Sequence, residues 1–266
     1  MSVLPAWKRA VRAGVDLALR PTASRRTLPT YLVLGAQKAG TTSVAAWLES
    51  HPSVLACRRK ETHYLDRHHD RGEAWYRTLF PTVATARATV ARTGTWATGD
   101  ATPAYLWHPA APGRAAAVVP DARLVALVRE PAARAFSHWR HERRSGREAR
   151  SFAAAVADEL AGGEGPGYVD RGRYSAQLER WRAVFPPEAL LALVSEELFA
   201  DPAPGLARLV AHLGLGPHPR PGVLPRENEG GDSDDALTPE DAATVRAAVA
   251  ADVERLPAII GRRLPW

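Results

Sequence analysis

One lysine and three consecutive hydroxyl side chains follow a short apolar run near the start of the chain and could bind a phosphate. The run covers residues 31–34 and ends at Gly35. The loop after it contains Lys38, Ala39, Gly40, Thr41, Thr42 and Ser43. When such a loop joins a strand to a helix, its N–H groups and the positive end of the helix point at an anion, and a lysine adds a mobile charge. The segment therefore predicts a phosphate-binding loop.

The spacing of this loop differs from that of the nucleoside-triphosphate motif. Gly35 and Gly40 stand where Gly-x-x-x-x-Gly-Lys-Ser/Thr requires its glycines, but Thr41 occupies the lysine position and Lys38 lies inside the loop. This departure points away from ATP hydrolysis and toward a different phosphate-bearing donor. An ATP-dependent P-loop small-molecule kinase stays open as the alternative, and it would need a magnesium-binding acid at the end of a strand.

An arginine and a serine farther along the chain are expected to reach the same ligand. Arg129 directly follows the apolar run Arg123–Val128, and Ser137 lies two turns into the helix that should follow it. Ligands of parallel sheets bind in a crevice outside the carboxyl ends of the strands, so this spacing places both side chains near one crevice. Taken alone, Arg129 could equally be an ordinary surface arginine in an ion pair.

These side chains must be positioned by a sheet, and three short apolar runs predict its buried strands. The runs are residues 31–34, Arg123–Val128 and Leu190–Val194, each continuous and bounded by turn or helix signals. Weaker strands are predicted at 54–56 and 95–98. Helical spacing of apolar residues separates the runs, at 44–48, 174–185, 206–213 and beyond Thr238. This alternation predicts an α/β fold, a single three-layer domain with a central parallel sheet.

Composition and charge exclude several classes of protein. The 266 residues carry a formal net charge of +6, which suits an anionic ligand, a nucleic acid or a membrane surface without choosing among them. The single cysteine, Cys57, excludes an internal disulfide and a cysteine-based zinc site. The histidine pairs at 68–69 and at 138 and 141 lack a carboxylate-rich partner pattern, so we expect no metal site.

The N-terminal segment has the pattern of a basic helix or arm and not of a signal peptide. Basic residues interrupt its apolar stretch, and the chain contains no apolar run of about 18 residues. We therefore expect a cytoplasmic protein without stable membrane insertion. Residues 5–20 either pack, fray or touch a membrane surface peripherally. Residues 1–28 are assigned to this arm and residues 29–266 to the catalytic domain.

Several segments, in this order, resemble the sulfotransferases that use 3′-phosphoadenosine 5′-phosphosulfate (PAPS), above all the heparan-sulfate-type and bacterial branch. That branch reads Gly-x-x-Lys-x-Gly-Thr-Thr, then Lys-Glu-x-His-Phe/Tyr, then Arg-Asn/Glu/Asp-Pro-x-x-Arg-x-x-Ser. The matching stretches are 35–42, 60–64 and 129–137, and the likeness extends from about Thr30 to the C-terminal Trp266. The resemblance implies a P-loop-like parallel α/β fold and PAPS as co-substrate.

On the donor side, the resemblance implies that residues 38–43 hold the 5′-phosphosulfate, while Arg129 and Ser137 hold the 3′-phosphate. Lys38 would also stabilise the leaving phosphate. In the family, a C-terminal loop with basic and glycine residues usually closes over the 3′-phosphate. Here residues 226–232 contain Arg226 as their only cation, so it stays open whether the loop at 214–235 closes and whether Arg220 and Arg226 substitute.

On the acceptor side, the resemblance implies that Glu61 is the general base, with His63 as the second candidate. A solvated ion pair with Lys60 or Arg59 is the alternative for Glu61. The residues matched to the acceptor side are Lys60, His63, Thr102 and Tyr105. The last two also suit an ordinary turn with a packed aromatic ring.

The acceptor itself is not specified by the sequence beyond a hydroxyl or an amine. The high content of Ala, Arg and Pro suggests a bacterial source, where a secondary metabolite, another small molecule, a glycolipid or a carbohydrate is a plausible acceptor. No nucleic-acid partner is expected, because an anionic donor accounts for the basic charge. A polyanion- or membrane-binding module without catalysis is the third reading. The sequence does not indicate an oligomeric state.

Overall fold

The centre of the protein is a sheet of four parallel strands, seen in a computed structural model that describes residues 5–225 and 236–266. The strands are β1 (Tyr31–Gly35), β2 (Gly99–Ala101), β3 (Arg123–Val128) and β4 (Leu190–Val194). They lie in the order β2-β1-β3-β4, and each neighbouring pair is parallel. Every residue of β1 is buried, which suits an apolar run covered on both faces. The predicted α/β class with a central parallel sheet is confirmed.

The three strong strand predictions are confirmed, and the two weaker ones are wrong. Around 54–56 and 95–98 the chain forms only an isolated bridge between Val54 and Ala97. The edge strand β2 begins two residues later, at Gly99. A Cβ atom at Gly99 would lie 2.0 Å from the ring of Tyr31 on β1, so only glycine lets the two strands pair there.

The described part of the chain contains twelve α-helices. They are α1 (Ala6–Leu19), α2 (Thr41–Glu49), α3 (Gly72–Arg77), α4 (Val83–Thr93), α5 (Ala111–Val118), α6 (Pro131–Arg144), α7 (Phe152–Leu160), α8 (Tyr174–Arg182), α9 (Ser195–Ala200), α10 (Pro202–His212), α11 (Pro239–Val253) and α12 (Leu256–Ile260). Short 3-10 helices lie at Arg20–Arg25, His69–Arg71, Asp170–Gly172 and Pro187–Ala189. None of the helices in 5–225 and 236–266 combines the length and apolar character needed to cross a membrane.

The start of α6 is fixed by a capping carboxylate, and this matters because α6 carries Ser137. Glu130 is the N-cap, and its side chain accepts hydrogen bonds from the N–H groups of Ala132 (3.2 Å) and Ala133 (2.7 Å). Arg246 of α11 donates to the same carboxylate at 3.0 Å. Such a cap satisfies donors that a helix start otherwise leaves unpaired, so the helix begins directly after β3.

An apolar cluster separate from the sheet holds α6 in place. It joins Phe136 and Trp139 of α6 to Phe152 of α7 and to Val245 and Val249 of α11, all buried. Phe152 meets Phe136 edge-on, with ring centroids 5.2 Å apart. Helix α6 is thereby fixed at its start by a cap and along its length by packing, which sets the direction of its polar face.

Candidate active site

A cavity of about 1060 Å³ opens beyond the carboxyl ends of β1 and β3, next to the first turns of α2 and α6. Among the residues that the structure describes, seven cationic side chains and four carboxylates line it. The cations are Lys38, Lys60, Arg67, Arg129, Arg144, Arg147 and Arg171, and the carboxylates are Glu61, Glu130, Glu142 and Glu196. This excess of positive charge in a concave site favours an anionic ligand.

The loop between β1 and α2 exposes an uncapped helix start to the cavity. Gly40 is the N-cap of α2, with φ of 93°, and no side chain caps the first turn. A Cβ atom at this position would lie 2.5 Å from the ring of Phe199. Both this close approach and the positive φ therefore require glycine. The N–H groups of the first helical turn have no partner within the helix and form a ready anion site beside Thr41 and Thr42.

Arg129 joins the two halves of the predicted donor site. Its guanidinium donates to the carbonyl oxygen of Lys38 at 3.0 Å, and its own carbonyl accepts from the hydroxyl of Tyr174 at 2.8 Å. Ser137 lines the same cavity from α6. The structure therefore brings the loop, the arginine and the serine together, as the spacing in the sequence predicted.

Two residues of the predicted phosphate loop do not line the cavity. Ala39 is fully buried in the sheet core, and its N–H donates to the carbonyl oxygen of Ala36 at 3.1 Å. Ser43 is 1% exposed, on the side of α2 that faces the protein. The side chains of these two residues therefore do not enter the cavity, and their contact with a phosphate stays a prediction.

Burial and like charge act together on Lys38. Its backbone has a φ of 70°, in the left-handed region, and its side chain enters the cavity. Burial and the nearby guanidiniums of Arg144 and Arg129 lower the pKa of Lys38. An anion placed among these cations would relieve their mutual repulsion, which makes the cavity a strong site for negative charge.

The segment 58–68, which the resemblance matches to the acceptor side, forms another wall of the cavity and is called the acceptor wall below. Three of its charged side chains lie next to one another. His63 Nδ1 lies 2.9 Å from a carboxylate oxygen of Asp66, and His63 Nε2 lies 3.5 Å from a carboxylate oxygen of Glu61. Glu61 and His63 both have a φ of 54°, an unusual conformation for residues other than glycine. The acceptor wall thus has an irregular backbone, and both side chains line the cavity.

The charges of this wall support one another. Burial alone would lower the pKa of His63, but the hydrogen bond to Asp66 and the nearby negative charge of Glu61 raise it to about 9. Burial would raise the pKa of Glu61, but the charge of His63, 3.5 Å away, together with that of Lys60, holds the pKa below its usual value. At neutral pH the wall therefore carries an ionised Glu61 and a protonated His63, so His63 is the poorer candidate for a base.

The raised pKa of His63 predicts a pH-dependent contribution to stability. Because the pKa of His63 is about 9 when folded and near 6.5 when unfolded, the contribution is complete below about pH 6.5 and is lost as pH rises through 9. In urea unfolding at pH 6 and pH 9.5, we expect the His63→Gln variant to lack roughly 1–2 kcal/mol of the pH-dependent change, allowing for solvent screening. His69→Gln is the control, because the pKa of His69 is lowered by burial. Equal pH dependence in His63→Gln and in the unchanged protein would contradict the assignment.

Thr102 and Tyr105, predicted to line the acceptor side, lie behind the wall. Both are fully buried, and their hydroxyls donate to the carboxylate of Asp100 on β2, at 2.7 Å each. Thr62 (2.5 Å) and Tyr76 (2.9 Å) donate to the same carboxylate. A buried carboxylate needs such donors, and Asp100 draws these side chains inward and away from the cavity. Neither residue lines the cavity, so we correct the expected contact with an acceptor: both residues support the acceptor wall from the inside.

The network around Asp100 holds the irregular wall in place. Thr62 lies between Glu61 and His63, so its hydrogen bond to Asp100 fixes the backbone on both sides. The Tyr105 hydroxyl also accepts from the N–H of Tyr64 at 2.9 Å. Burial raises the pKa of Asp100, while its four hydroxyl donors act in the opposite direction. We regard these residues as supporting groups, since none of them lines the cavity.

The sequence reasoning missed several residues that line or support the cavity. Asp66 lies three residues after His63, just beyond the matched stretch 60–64, and that spacing was the available signal. Arg144 and Arg147 come from the end of α6 and the turn beyond it, and their distance from the motifs gave no signal. Arg171 lines the cavity with its guanidinium 4.1 Å from the ring centroid of Trp107, and burial lowers its pKa to about 10.

Part of the predicted closing loop lies outside the described residues. Arg226 and the rest of 226–232 belong to this part. The described section before it packs on α2, where His218 stacks on Trp47 with ring centroids 4.0 Å apart. Arg220 is exposed, and its carbonyl accepts from the indole of Trp47 at 3.0 Å, but Arg220 is absent from the described lining of the cavity.

Comparison with known proteins gives a consistent result. A family model described as the sulfotransferase family matches residues 29–219. The human heparan sulfate glucosamine 3-O-sulfotransferase 6 is 34% identical over 209 residues, which cover 76% of this chain and 56% of that protein. The human bifunctional heparan sulfate N-deacetylase/N-sulfotransferase 3 is 30% identical over 208 residues, covering 72% of this chain and 23% of that protein. The chain thus spans about half, or less, of the length of these relatives.

A solved structure matches over nearly its whole length. The sulfotransferase from Alicyclobacillus acidocaldarius is 28% identical, with a TM-score of 0.69, and the match covers 90% of this chain and 98% of that one. The parallel sheet and its flanking helices are therefore shared with a sulfotransferase of similar size.

Proposed function

Because this chain belongs to the sulfotransferase family, we propose that it transfers the sulfuryl group of PAPS to a hydroxyl or an amine of an acceptor. The observation that carries the proposal is that one cavity unites an uncapped helix start, the side chains of Arg129 and Ser137, and the carboxylate of Glu61. Anion binding at two places and a base at a third are the requirements of such a transfer.

The residues of the donor side suit a nucleotide with two separate anionic ends. We assign the first turn of α2, with Gly40, Thr41 and Thr42, to the 5′ end, where N–H and hydroxyl donors are available. We assign Arg129 and Ser137 to the 3′-phosphate. When bound, PAPS would supply the sulfuryl group, and adenosine 3′,5′-bisphosphate would leave with the electron pair of the broken sulfur–oxygen bond.

The chain's own residues supply positioning, charge and a base. We assign Glu61 as the base that takes the proton of the acceptor, since it is ionised at neutral pH. His63, held by Asp66, orients Glu61 and stabilises its charge. We assign Lys38 to the leaving oxygen, because its ammonium is the mobile cation of the phosphate loop.

For the acceptor, we propose a small molecule, a glycolipid or a carbohydrate that contacts Lys60 and His63. The names of two relatives specify heparan sulfate, which supports a glycan among these classes. A bacterial secondary metabolite and a cytoplasmic location remain part of the proposal. We likewise keep residues 29–266 as the catalytic domain, with 1–28 as a separate arm. The absence of a metal also stays a prediction.

Nucleotide binding tests the donor assignment without knowledge of the acceptor. In calorimetry we expect adenosine 3′,5′-bisphosphate to bind far more tightly than 5′-AMP, because only the former has a 3′-phosphate. The double variant Arg129→Gln/Ser137→Ala should lose about 100-fold in affinity for the bisphosphate, since two bonds to a charged group disappear. Its affinity for 5′-AMP should hardly change.

Two outcomes would overturn the proposal. Arg87→Gln, an exposed arginine of α4 outside the cavity, is the control and should bind both nucleotides normally. If the double variant kept full preference for the bisphosphate, the 3′-phosphate site would lie elsewhere. If the protein instead turned over ATP with strict dependence on Mg²⁺, the kinase alternative would replace the sulfotransferase.

A further inference from the structure

Helix α1 has almost no packing of its own. It spans Ala6–Leu19, and Asp16, at 4% exposure, is its only residue with a side chain described as buried. Its main neighbour is the 3-10 helix Arg20–Arg25 that directly follows it. An isolated helix of this length is marginal in water, and most helices in proteins are stabilised by an apolar face that packs. The helix therefore lacks its usual source of stability within the described structure.

A buried carboxylate ties α1 to the rest of the protein. Asp16 accepts hydrogen bonds from Arg59 at 2.5 Å and from the indole of Trp75 at 2.9 Å, and Arg71 lies 3.7 Å away. Arg59 is two residues before Glu61, so α1 is tied to the segment that forms the acceptor wall. The tie holds the polar side of the helix inward.

The apolar side of α1 faces outward. Trp7, Val11 and Val15 follow one another at helical spacing and are 64%, 59% and 39% exposed, and Leu17 is 69% exposed. Nine large apolar residues are exposed in the described part of the chain, and four of them are on this one helix. Scattered exposed apolar residues are ordinary, but a stripe on an unpacked helix marks an interaction surface.

The charges beside this stripe select its partner. Lys8 and Arg12 are exposed on α1, and the Lys8 ammonium lies 5.3 Å from the centroid of the Trp7 ring. Arg20 and Arg25 are exposed just beyond the helix, while Asp16 is already paired with Arg59. A second copy of the chain would bring the same cations against these. An anionic lipid surface offers both complementary charge and an apolar layer for the stripe.

We propose that α1 docks in the plane of an anionic lipid surface, with Trp7, Val11 and Val15 buried among the acyl chains. Lys8 and Arg12 then lie at the level of the lipid phosphates, as basic residues on amphipathic helices do. This binding does not depend on the proposed reaction, and either of the two can fail without the other. If both hold, a lipid-borne acceptor gains access to a wall that is tied to the docking helix.

Cosedimentation of the full chain with vesicles tests this binding. The vesicles are phosphatidylcholine alone and an equimolar mixture of phosphatidylcholine and phosphatidylglycerol. We expect the partition coefficient to be at least about tenfold higher for the anionic vesicles and to fall with added salt. Trp7→Ser/Val11→Ser should reduce it by about tenfold or more, through the lost apolar burial. Lys8→Gln/Arg12→Gln should reduce it by roughly fivefold per cation on anionic vesicles only.

Matched variants on other helices distinguish binding through α1 from nonspecific hydrophobic or electrostatic binding. Leu160→Ser/Val184→Ser removes exposed apolar residues elsewhere, and Arg87→Gln/Arg208→Gln removes exposed cations elsewhere. Both should bind vesicles as the unchanged protein does. Absence of binding to either vesicle, or equal losses in the α1 variants and their controls, would overturn the proposal. A dimer in ultracentrifugation that Trp7→Ser/Val11→Ser dissociates, without vesicle binding, would assign the stripe to a second copy instead.

Discussion

Replacing Glu61 by glutamine is expected to lower kcat by about 10²- to 10⁴-fold, the usual contribution of a positioned general base. Glutamine keeps the size of the side chain but cannot accept the acceptor's proton. Glu61 lines the cavity and is partly exposed, so folding and the affinity for adenosine 3′,5′-bisphosphate should be nearly unchanged. Single-turnover sulfation, followed by mass shift of the product, and calorimetry with the bisphosphate would measure the two effects separately.

Two further variants make this expectation discriminating. Glu142→Gln removes another carboxylate from the same cavity, but one that already pairs with Arg147 at 2.5 Å, so its effect on kcat should be small. His63→Gln should cost less than Glu61→Gln, because a histidine with a pKa of about 9 is protonated at neutral pH. A larger loss in His63→Gln, with Glu61→Gln active, would exchange the two roles.

Replacing Lys38 by glutamine is expected to lower kcat by about 10²- to 10³-fold, as the removal of a preorganised charge at a leaving oxygen does. A φ of 70° is about as unfavourable for glutamine as for lysine, so a change in kcat reports the loss of the positive charge. The effect should appear mainly in kcat, because the developing charge on the leaving oxygen exists only in the transition state.

Lys38→Arg and Lys60→Gln are the matched variants for this expectation. Arginine retains the cation and should restore part of the rate lost in Lys38→Gln. Lys60 also lines the cavity but is exposed on the acceptor wall, so Lys60→Gln should act mainly on the KM of the acceptor. A Lys38→Gln enzyme with normal kcat and raised KM for PAPS would contradict the assigned role and leave Lys38 as a binding residue only.

The buried strands were predictable from the sequence because their physical requirement is local. Strands β1 and β3 are buried almost throughout, and β4 is buried at its carboxyl end. That environment selects continuous apolar runs whatever lies around them. Strand β2 was not predictable in this way. Gly99 makes room for the ring of Tyr31, and Asp100 accepts hydrogen bonds from several hydroxyls. These partners lie elsewhere in the chain, so the three residues of β2 show no local strand pattern.

The same distinction separates the two sides of the candidate site. The donor side could be predicted because each part follows directly from a strand: the loop after β1 and Arg129 after β3. The acceptor wall depends on hydrogen bonds between distant residues, so Thr102 and Tyr105 could be matched to a motif but not assigned to the correct side of the wall. Asp66 was visible in the sequence, yet its contact with His63 depends on the fold of an irregular segment.

Because Asp100 anchors the acceptor wall at 58–68, the acceptor side and the donor side of the cavity can be engineered separately. No regular helix or strand runs through 58–68, so a foreign segment could be grafted there to redirect selectivity while the nucleotide half stays native. The graft would have to carry a hydroxyl at position 62, where the donor to Asp100 stands. Without it, the buried carboxyl group of Asp100 would lose one of its hydrogen-bond donors, and the transplanted segment would lose its anchor.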